Sequence, residues 1–256
     1  MNKIEVKILN PEAVADSEKM MVCAARLTQR GEKIKNMNDF TVLYEKGYKK
    51  ETVVNMVNLP HPTIQKFGAI NAVVVGASRR FLAQITRHQN EVKFISASLQ
   101  YSDYSDNSDF VVPYEIFERG EIDIDRYLEV CADLMKVYKS AVKTGIDNDA
   151  AGYMSPQSLR NILIISATPY QWKHMIGQRI CRRNTAETRY VMLRIWEQLY
   201  ELNPVLFSAN TTGPFCTRGI CRENGMACGN VIQKESAPYD IIVNDFPLLT
   251  KGIKKE

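Results

Sequence analysis

Between Gln84 and Tyr101 the chain gathers an amide, a guanidinium, an imidazole and a row of hydroxyls. Gln84, Arg87 and His88 close a segment that should be helical from Ser78, a good N-cap, with Phe81, Leu82 and Ile85 as its apolar side. Gln84 and His88 lie one turn apart and flank Phe81 and Ile85, so polar groups stand beside a buried edge. From Phe94 to Gln100 the residues alternate, with Ser96, Ser98 and Gln100 on one face and Ile95, Ala97 and Leu99 on the other. A row of hydroxyls and an amide can hydrogen-bond a phosphate or a nucleobase edge. The plainer reading is a hydrogen-bonded core-edge histidine at position 88 and a cation favoured by the helix C-terminus at position 87.

Two arginines further on fall on apolar helix faces. Arg179 lies between Trp172 and Met175, and Arg189 sits with Met192, Ile195, Trp196 and Leu199. An inward guanidinium is costly unless it meets an anion or several acceptors. Glu187 is a nearby partner for Arg189, whereas Arg179 has no helical carboxylate one turn away and is the better ligand-binding candidate. His174 and Gln178 lie one turn apart on the polar side of the Arg179 helix. With His61, in a His61-Pro62-Thr63 loop, and His88, His174 completes the three histidines of the chain.

Six cysteines do not make a disulfide scaffold. Cys23, Cys131 and Cys181 read as small apolar residues in helical patterns. Cys216, Cys221 and Cys228 are separated by four and six residues in a Gly-rich stretch. These three thiols are weak metal candidates: zinc would need a fourth ligand from elsewhere, and the paired C-x2-C knuckle is missing, so reduced or locally paired thiols are the expectation.

The elements that position these residues follow from hydropathy. Strands are expected at Ile4 to Leu9, Phe67 to Val75 and Asn161 to Ala167, with a small-residue break at Gly76 to Ser78 and a strand end near Val111 to Pro113. Helices are expected from Ser17 to Leu27, Phe40 to Tyr48 and Glu51 to Asn58. A long amphipathic helix, Ile124 to Lys143, should turn Tyr127, Leu128, Cys131, Leu134, Met135 and Tyr138 inward. Capping boxes at Thr168 to Gln171 and Asn184 to Glu187 open two more, ending near Ile180 and Leu202. These pieces predict an α/β protein of α+β type, its central sheet mostly antiparallel and flanked by helices. Residues 1–210 form the expected catalytic domain, and 211–256 a Cys-containing, loop-rich tail with a basic end, Lys251 to Lys255.

The 256 residues are 45% apolar and 24% charged, a composition able to bury a sizeable core. A net charge of +4 without a clustered stripe favours a small anionic ligand over nucleic acid. No stretch approaches the length of a transmembrane helix and no signal-peptide pattern opens the chain, so a cytoplasmic location is expected.

In this order the pieces resemble the flavin-dependent thymidylate synthases. That family is marked by Arg-His-Arg, seven residues, then Ser-x-Arg-Tyr; here Arg87-His88-Gln89 precedes Ser98-Leu99-Gln100-Tyr101 by eight residues. His61-Pro62-Thr63 fits the family's His-x-Thr loop, Gln84 its upstream glutamine, and Thr185 to Arg189 its Gln-x-Glu-x-Arg helix start. The resemblance covers about residues 20 to 200 and implies FAD bound by His61, Thr63, Arg87, His88, Gln89 and His174. It implies a pyrimidine nucleotide, dUMP by default, held by Gln84, Ser98, Gln100, Tyr101 and Arg179, with Arg179 and Ser98 in the catalytic roles. NADPH and methylenetetrahydrofolate would be co-substrates and the assembly a homotetramer. Gln89, Gln100 and Gly152 stand where the family has arginines, so Arg160, Arg182 or Arg183 supplies the phosphate grip or the substrate is a different pyrimidine nucleotide. A non-catalytic flavin- or nucleotide-binding homologue is the remaining alternative.

Overall fold

In the computed structural model, residues 3–59, 61–219, 221–232 and 236–250 are described. Strand β1 (Glu5–Ile8) leads into the helices α1 (Glu12–Arg30), α2 (Met37–Glu45) and α3 (Lys50–Val57). Strand β2 (Ile70–Ser78) passes straight into α4 (Arg79–Ile85), and the chain returns as β3 (Val92–Ser96). The single turns α5 (Tyr114–Phe117) and α7 (Asn148–Ala151) bracket the long α6 (Glu121–Lys143). Strand β4 (Arg160–Ala167) precedes α8 (Pro169–Arg179) and α9 (Ala186–Leu202). The turn α10 (Ala209–Thr212), then α11 (Pro238–Asp245) and α12 (Pro247–Thr250), complete the described chain. The strands run in the order β1-β2-β4-β3 with every pairing antiparallel, as the expected fold class requires.

One sheet face is covered. Ile70, Ala72 and Val74 of β2 and Leu163, Ile165 and Ala167 of β4 pack against Trp172, Met175 and Ile176 of α8 and Met192, Ile195 and Trp196 of α9. Both indoles bury without leaving a donor unmet, Trp172 giving its N–H to the Ile70 carbonyl and Trp196 to that of Phe207. Truncating either would cost about 3–5 kcal/mol. A smaller cluster around Leu99, Cys131, Met135, Tyr138 and Leu159 seats α6.

Several boundaries move from their sequence positions, each for a local reason. The expected break at Gly76 to Ser78 is instead a bulge inside β2: Gly76 has φ +80°, and a Cβ there would lie 2.8 Å from the Lys3 carbonyl oxygen. Ser78 caps α4 as expected, accepting from the Phe81 N–H, but α4 stops at Ile85. Arg87 and His88 therefore lie in the turn beyond it. Strand β3 ends at Ser96, so the alternation does not extend to Gln100; Leu99 turns into the second core, and Ile95 faces outward opposite Ile164. Helix α1 starts at Glu12, α2 is capped by Asn36, and Leu134 of α6 is exposed. Helix α9 is capped by Thr185, which accepts from the Thr188 N–H, and not by Asn184, while Glu187 turns to Ser78.

The C-terminal part is less loop-like than its composition predicts, since α11 packs on α9 and puts Ile241, Ile242 and Phe246 into the main core. The expected basic end, Lys251 to Lys255, lies outside the described residues. Among the described residues no helix is long and apolar enough to cross a membrane.

Candidate functional site

The turn after α4 and the exposed stripe of α8 face each other across a cavity of about 880 Å³. Arg87, His88 and Gln89 come from the turn, and His174, Gln178 and Arg179 from the helix. Thr168 makes this possible by starting α8: its hydroxyl accepts from the Gln171 N–H and Pro169 occupies the first turn. From there Tyr170, His174 and Gln178, spaced four apart, fall on one side of the helix and line the cavity.

At the back of the cavity Arg179 and His88 are locked together. The Arg179 Nε–H donates to His88 Nε2 at 2.8 Å, Nη2 donates to the Gln84 carbonyl at 2.8 Å, and Nη1 reaches Asn184 Oδ1 at 3.5 Å. An imidazole nitrogen that accepts from a guanidinium must carry a lone pair, so His88 is neutral with its proton on Nδ1. Burial, then Arg179, then His174 hold its pKa down to about 4. The His174 ring meets the His88 ring edge-on, with centroids 5.9 Å apart. Arg179, half-buried, is itself lowered from the ordinary arginine value by burial and by Arg87. Two arginines lining the cavity, one from each side, with no carboxylate among the described hydrogen-bond partners of Arg179, leave positive charge for an anionic ligand.

Gln84 sits behind this pair. Its Oε1 accepts from the hydroxyls of Thr188 and Thr185, which joins the end of α4 to the start of α9. Arg189 does not meet Glu187. It pairs with Asp245 of α11 and lies over the Phe246 ring, 5.3 Å from its centroid. Glu187 accepts instead from the Ser78 N–H at 2.6 Å and the Ser78 hydroxyl at 2.5 Å, and burial pushes its carboxyl above the ordinary range.

Within one chain, Arg87, His88, Gln89, His174 and Arg179 are brought together, with Gln84 directly behind. His61, Thr63, Ser98, Gln100 and Tyr101 do not line this cavity. His61 and Thr63 are exposed beside a neighbouring hollow of about 340 Å³ that shares Tyr170 and His174 with the first. Ser98, Gln100 and Tyr101 occupy the turn after β3, where the Gln100 N–H donates to the Ser98 hydroxyl and Tyr101 is 84% exposed. Lys66, Glu91 and Tyr170 were not expected at the site. Lys66 bridges to Glu91 at 2.8 Å and lies over the Tyr170 ring. Of these, only Tyr170 had a signal, its four-residue spacing from His174.

The cations expected in place of the missing arginines are mostly engaged. Arg160 bonds the Gly76 carbonyl and contacts Asp109 at 3.0 Å, and Arg182 pairs with Asp245 at 2.8 Å. Arg183 is exposed and lies against the Met226 sulfur. A Cβ on Gly152 would lie 3.0 Å from Leu99 Cδ1.

A family model described as thymidylate synthase complementing protein, Thy1, matches residues 12–205. The flavin-dependent thymidylate synthase of Pyrococcus abyssi is 27% identical over 170 residues, 64% of this chain and 68% of that one. That of Geobacter sulfurreducens is 23% identical over 228 residues, 88% of this chain and 91% of that one. A UMP/dUMP methylase, PolB, from Streptomyces cacaoi, solved with 5-Br dUMP, superposes with a TM-score of 0.63 at 17% identity, covering 82% of this chain and 96% of PolB. Thymidylate Synthase X from Helicobacter pylori, solved with FAD and dUMP, superposes with a TM-score of 0.56 at 17% identity, covering 80% and 97%. At such identities the two structures show a shared fold, while the family model spans most of the sequence. The chain belongs to the Thy1 family, that of the flavin-dependent thymidylate synthases, and is an enzyme of that family.

Proposed function

We propose that this enzyme binds FAD and a pyrimidine nucleotide in and around the 880 Å³ cavity. There it would transfer one carbon from methylenetetrahydrofolate to C5 of dUMP, with NADPH as reductant, giving dTMP. The observation that carries this reading is the Arg179–His88 pair at the back of a cationic cavity, in a chain of this family. The residues present fit the flavin: Arg87 offers a cation to a pyrophosphate, His174 and Tyr170 offer rings, and the volume lies in the range of about 300–1,000 Å³ usual for ligand pockets. When bound, FAD supplies the hydride chemistry that the side chains cannot.

The chain's own groups do the rest. Neutral His88 accepts from Arg179 and, with the Gln84 carbonyl, fixes the plane of the guanidinium. Each terminal nitrogen carries a second N–H beyond these bonds, and the pair suits a uracil carbonyl edge. Held there, Arg179 offsets the negative charge that develops on the pyrimidine oxygen as C5 becomes nucleophilic.

His61, Thr63, Ser98, Gln100 and Tyr101 would reach the site from neighbouring copies in a homotetramer. The outward sheet face supports such an assembly, since Val75, Ile95, Ile162 and Ile164 are all exposed on it in register.

A second reading, methylation or hydroxymethylation of a different pyrimidine nucleotide, is favoured by the phosphate side. Leu99 crowds the Cβ direction at Gly152, and Arg160 and Arg182 already have internal partners. Mass spectrometry of dUMP, UMP and dCMP after incubation with FAD, NADPH and methylenetetrahydrofolate separates the readings. A methyl-mass gain on dUMP alone supports thymidylate synthesis. A gain on another nucleotide supports the second reading, and no gain on any removes both.

A further inference from the structure

The three thiols of the Gly-rich stretch acquire a fourth in the folded chain. Cys181, just past the end of α8, lines a cavity of about 320 Å³ together with Cys216 and Cys221. The remaining thiol is tied to the same place through the backbone. Cys228 Sγ donates to the Asn230 carbonyl at 3.3 Å, and that carbonyl also accepts from Nη1 of Arg182, the residue next to Cys181. Four sulfurs from two separate segments, a helix end and one arm of chain, are thus drawn to one side of the protein.

Gly219 and Gly229 both have positive φ with open space around them, and among the described residues 221–229 the arm forms one short 3-10 turn, Asn224–Met226, and leaves Met226 exposed. Its tethers include Arg222, which lies over the Phe215 ring at 3.9 Å, the contact of Arg183 with the Met226 sulfur, and the bond from Arg182 to the Asn230 carbonyl. Fixing a residue costs about 1–2 kcal/mol of backbone entropy, and exposed glycines and polar side chains do not repay that by burial. A metal can, because its binding free energy is folding free energy for the segment that supplies its ligands.

The charge distribution points the same way. Arg182, Arg183 and Arg222 border the cluster and can offset the net negative charge of a tetrathiolate centre.

We propose that Cys181, Cys216, Cys221 and Cys228 bind a thiophilic metal centre that clamps the arm 214–232 onto the end of α8. Among the described residues no three His, Cys, Asp or Glu side chains already meet in metal-ligand geometry. Cys181, Cys216 and Cys221 line the cavity, and Cys228 is tied beside it through the Asn230 carbonyl and Arg182. A zinc ion and an iron–sulfur cluster share this coordination chemistry, and both take four cysteines. The centre's place is adjacent to the candidate active site, because its cavity shares His174 and Gln178 with the larger one. The inference stands independently of which nucleotide the enzyme uses.

The test is metal and sulfide analysis of the full chain, produced in medium containing zinc and iron and purified without air or chelators. The expected result is about one centre per chain, read either as zinc alone or as iron with matching acid-labile sulfide. In a Cys221→Ser, Cys228→Ser double variant the metal content should fall more than about tenfold while circular dichroism is unchanged, since both positions are exposed. Neither zinc nor iron in the wild-type chain overturns the proposal, as does metal that persists in the double variant. Thiol labelling gives a second reading of the same question. Cys221 and Cys228 should resist a thiol reagent until the metal is released, and immediate labelling of both in the native protein also overturns the proposal.

Discussion

Arg179 donates its Nε–H to His88 Nε2 at 2.8 Å, so the charge on one residue requires the neutrality of the other. Protonating His88 would set two cations against each other inside a buried corner, and its pKa of about 4, against an ordinary 6.5, reflects burial first and the arginine second. The sign of the pH effect follows. Between pH 6.5 and pH 4 the unfolded chain takes up a proton that the folded chain refuses, so stability falls as pH falls through that window. The limit is about 3 kcal/mol. Urea midpoints measured across the window should drop for the wild type and drop much less for His88→Gln; parallel curves would remove His88 as the cause.

Arg179 should matter to the ligand more than to the fold. Arg179→Lys keeps the charge but loses the planar fork and the Nε bond to His88. Nucleotide affinity should fall roughly 10- to 100-fold, the equivalent of one or two charge-assisted hydrogen bonds, with flavin content retained. Calorimetric titration with dUMP and with UMP measures this, and affinity within a factor of two of wild type would take Arg179 out of the nucleotide site.

Ser78 makes three bonds, two through its hydroxyl and one through its backbone N–H. It accepts from the Phe81 N–H as the N-cap of α4, donates to Glu187, and sits where its own N–H meets the same carboxylate. Ser78→Ala removes the cap and leaves a buried carboxylate short of a donor, at a cost of about 1–3 kcal/mol. In a chain of this size that lowers Tm by several degrees. Ser78→Thr should recover most of the loss; if it does not, the hydroxyl is not the stabilising group.

These relationships mark where sequence reading ends. The caps Ser78 and Thr168 were legible because a cap is a bond between residues three apart. The face shared by Tyr170, His174 and Gln178 was legible in part, because helical spacing is local. Glu187 was assigned to Arg189 by the same logic, and the fold overrode it: Ser78, 109 residues away, takes the carboxylate, and Asp245, 56 residues away, takes the arginine. Ile95 reads as an inward residue until its pairing with Ile164 places it on the outward face. Cys181 reads as a buried apolar residue until the arm carrying Cys216, Cys221 and Cys228 is folded beside it.

The Asp245 carboxylate holds two arginines, Arg182 at 2.8 Å and Arg189. Burial alone would raise its pKa, but the arginines and Asn244 hold it below the ordinary carboxylate value. Asp245→Ala would leave the buried Arg189 without its anion, and removing one partner of a buried pair costs about 3–5 kcal/mol. Because α11 reaches the core through this clamp, the first consequence should be release of the C-terminal segment. Limited proteolysis should cut the variant between α10 and α11 well before the wild type, and equal cutting rates would show that Ile241, Ile242 and Phe246 hold the segment alone.

The outward sheet face bears on the five expected site residues that the single chain leaves outside the cavity. Ile164 of β4 pairs with Val73 of β2 on one side and Ile95 of β3 on the other, and Ile162 pairs with Val75, so the exposed apolar groups form one continuous stripe across three strands. A stripe of this kind in contact with water is unfavourable, and burying it against a second copy recovers roughly 25 cal/mol for each Å² covered. Ile162→Lys with Ile164→Lys puts two charges on that stripe without touching the covered face, so the monomer should stay folded while the assembly dissociates. Light scattering should then report a smaller particle. Activity should fall with it if His61, Ser98 and Tyr101 complete the site from neighbouring copies. A variant that dissociates yet keeps full turnover would mean that each chain builds its site alone, with the turn after β3 closing over its own cavity.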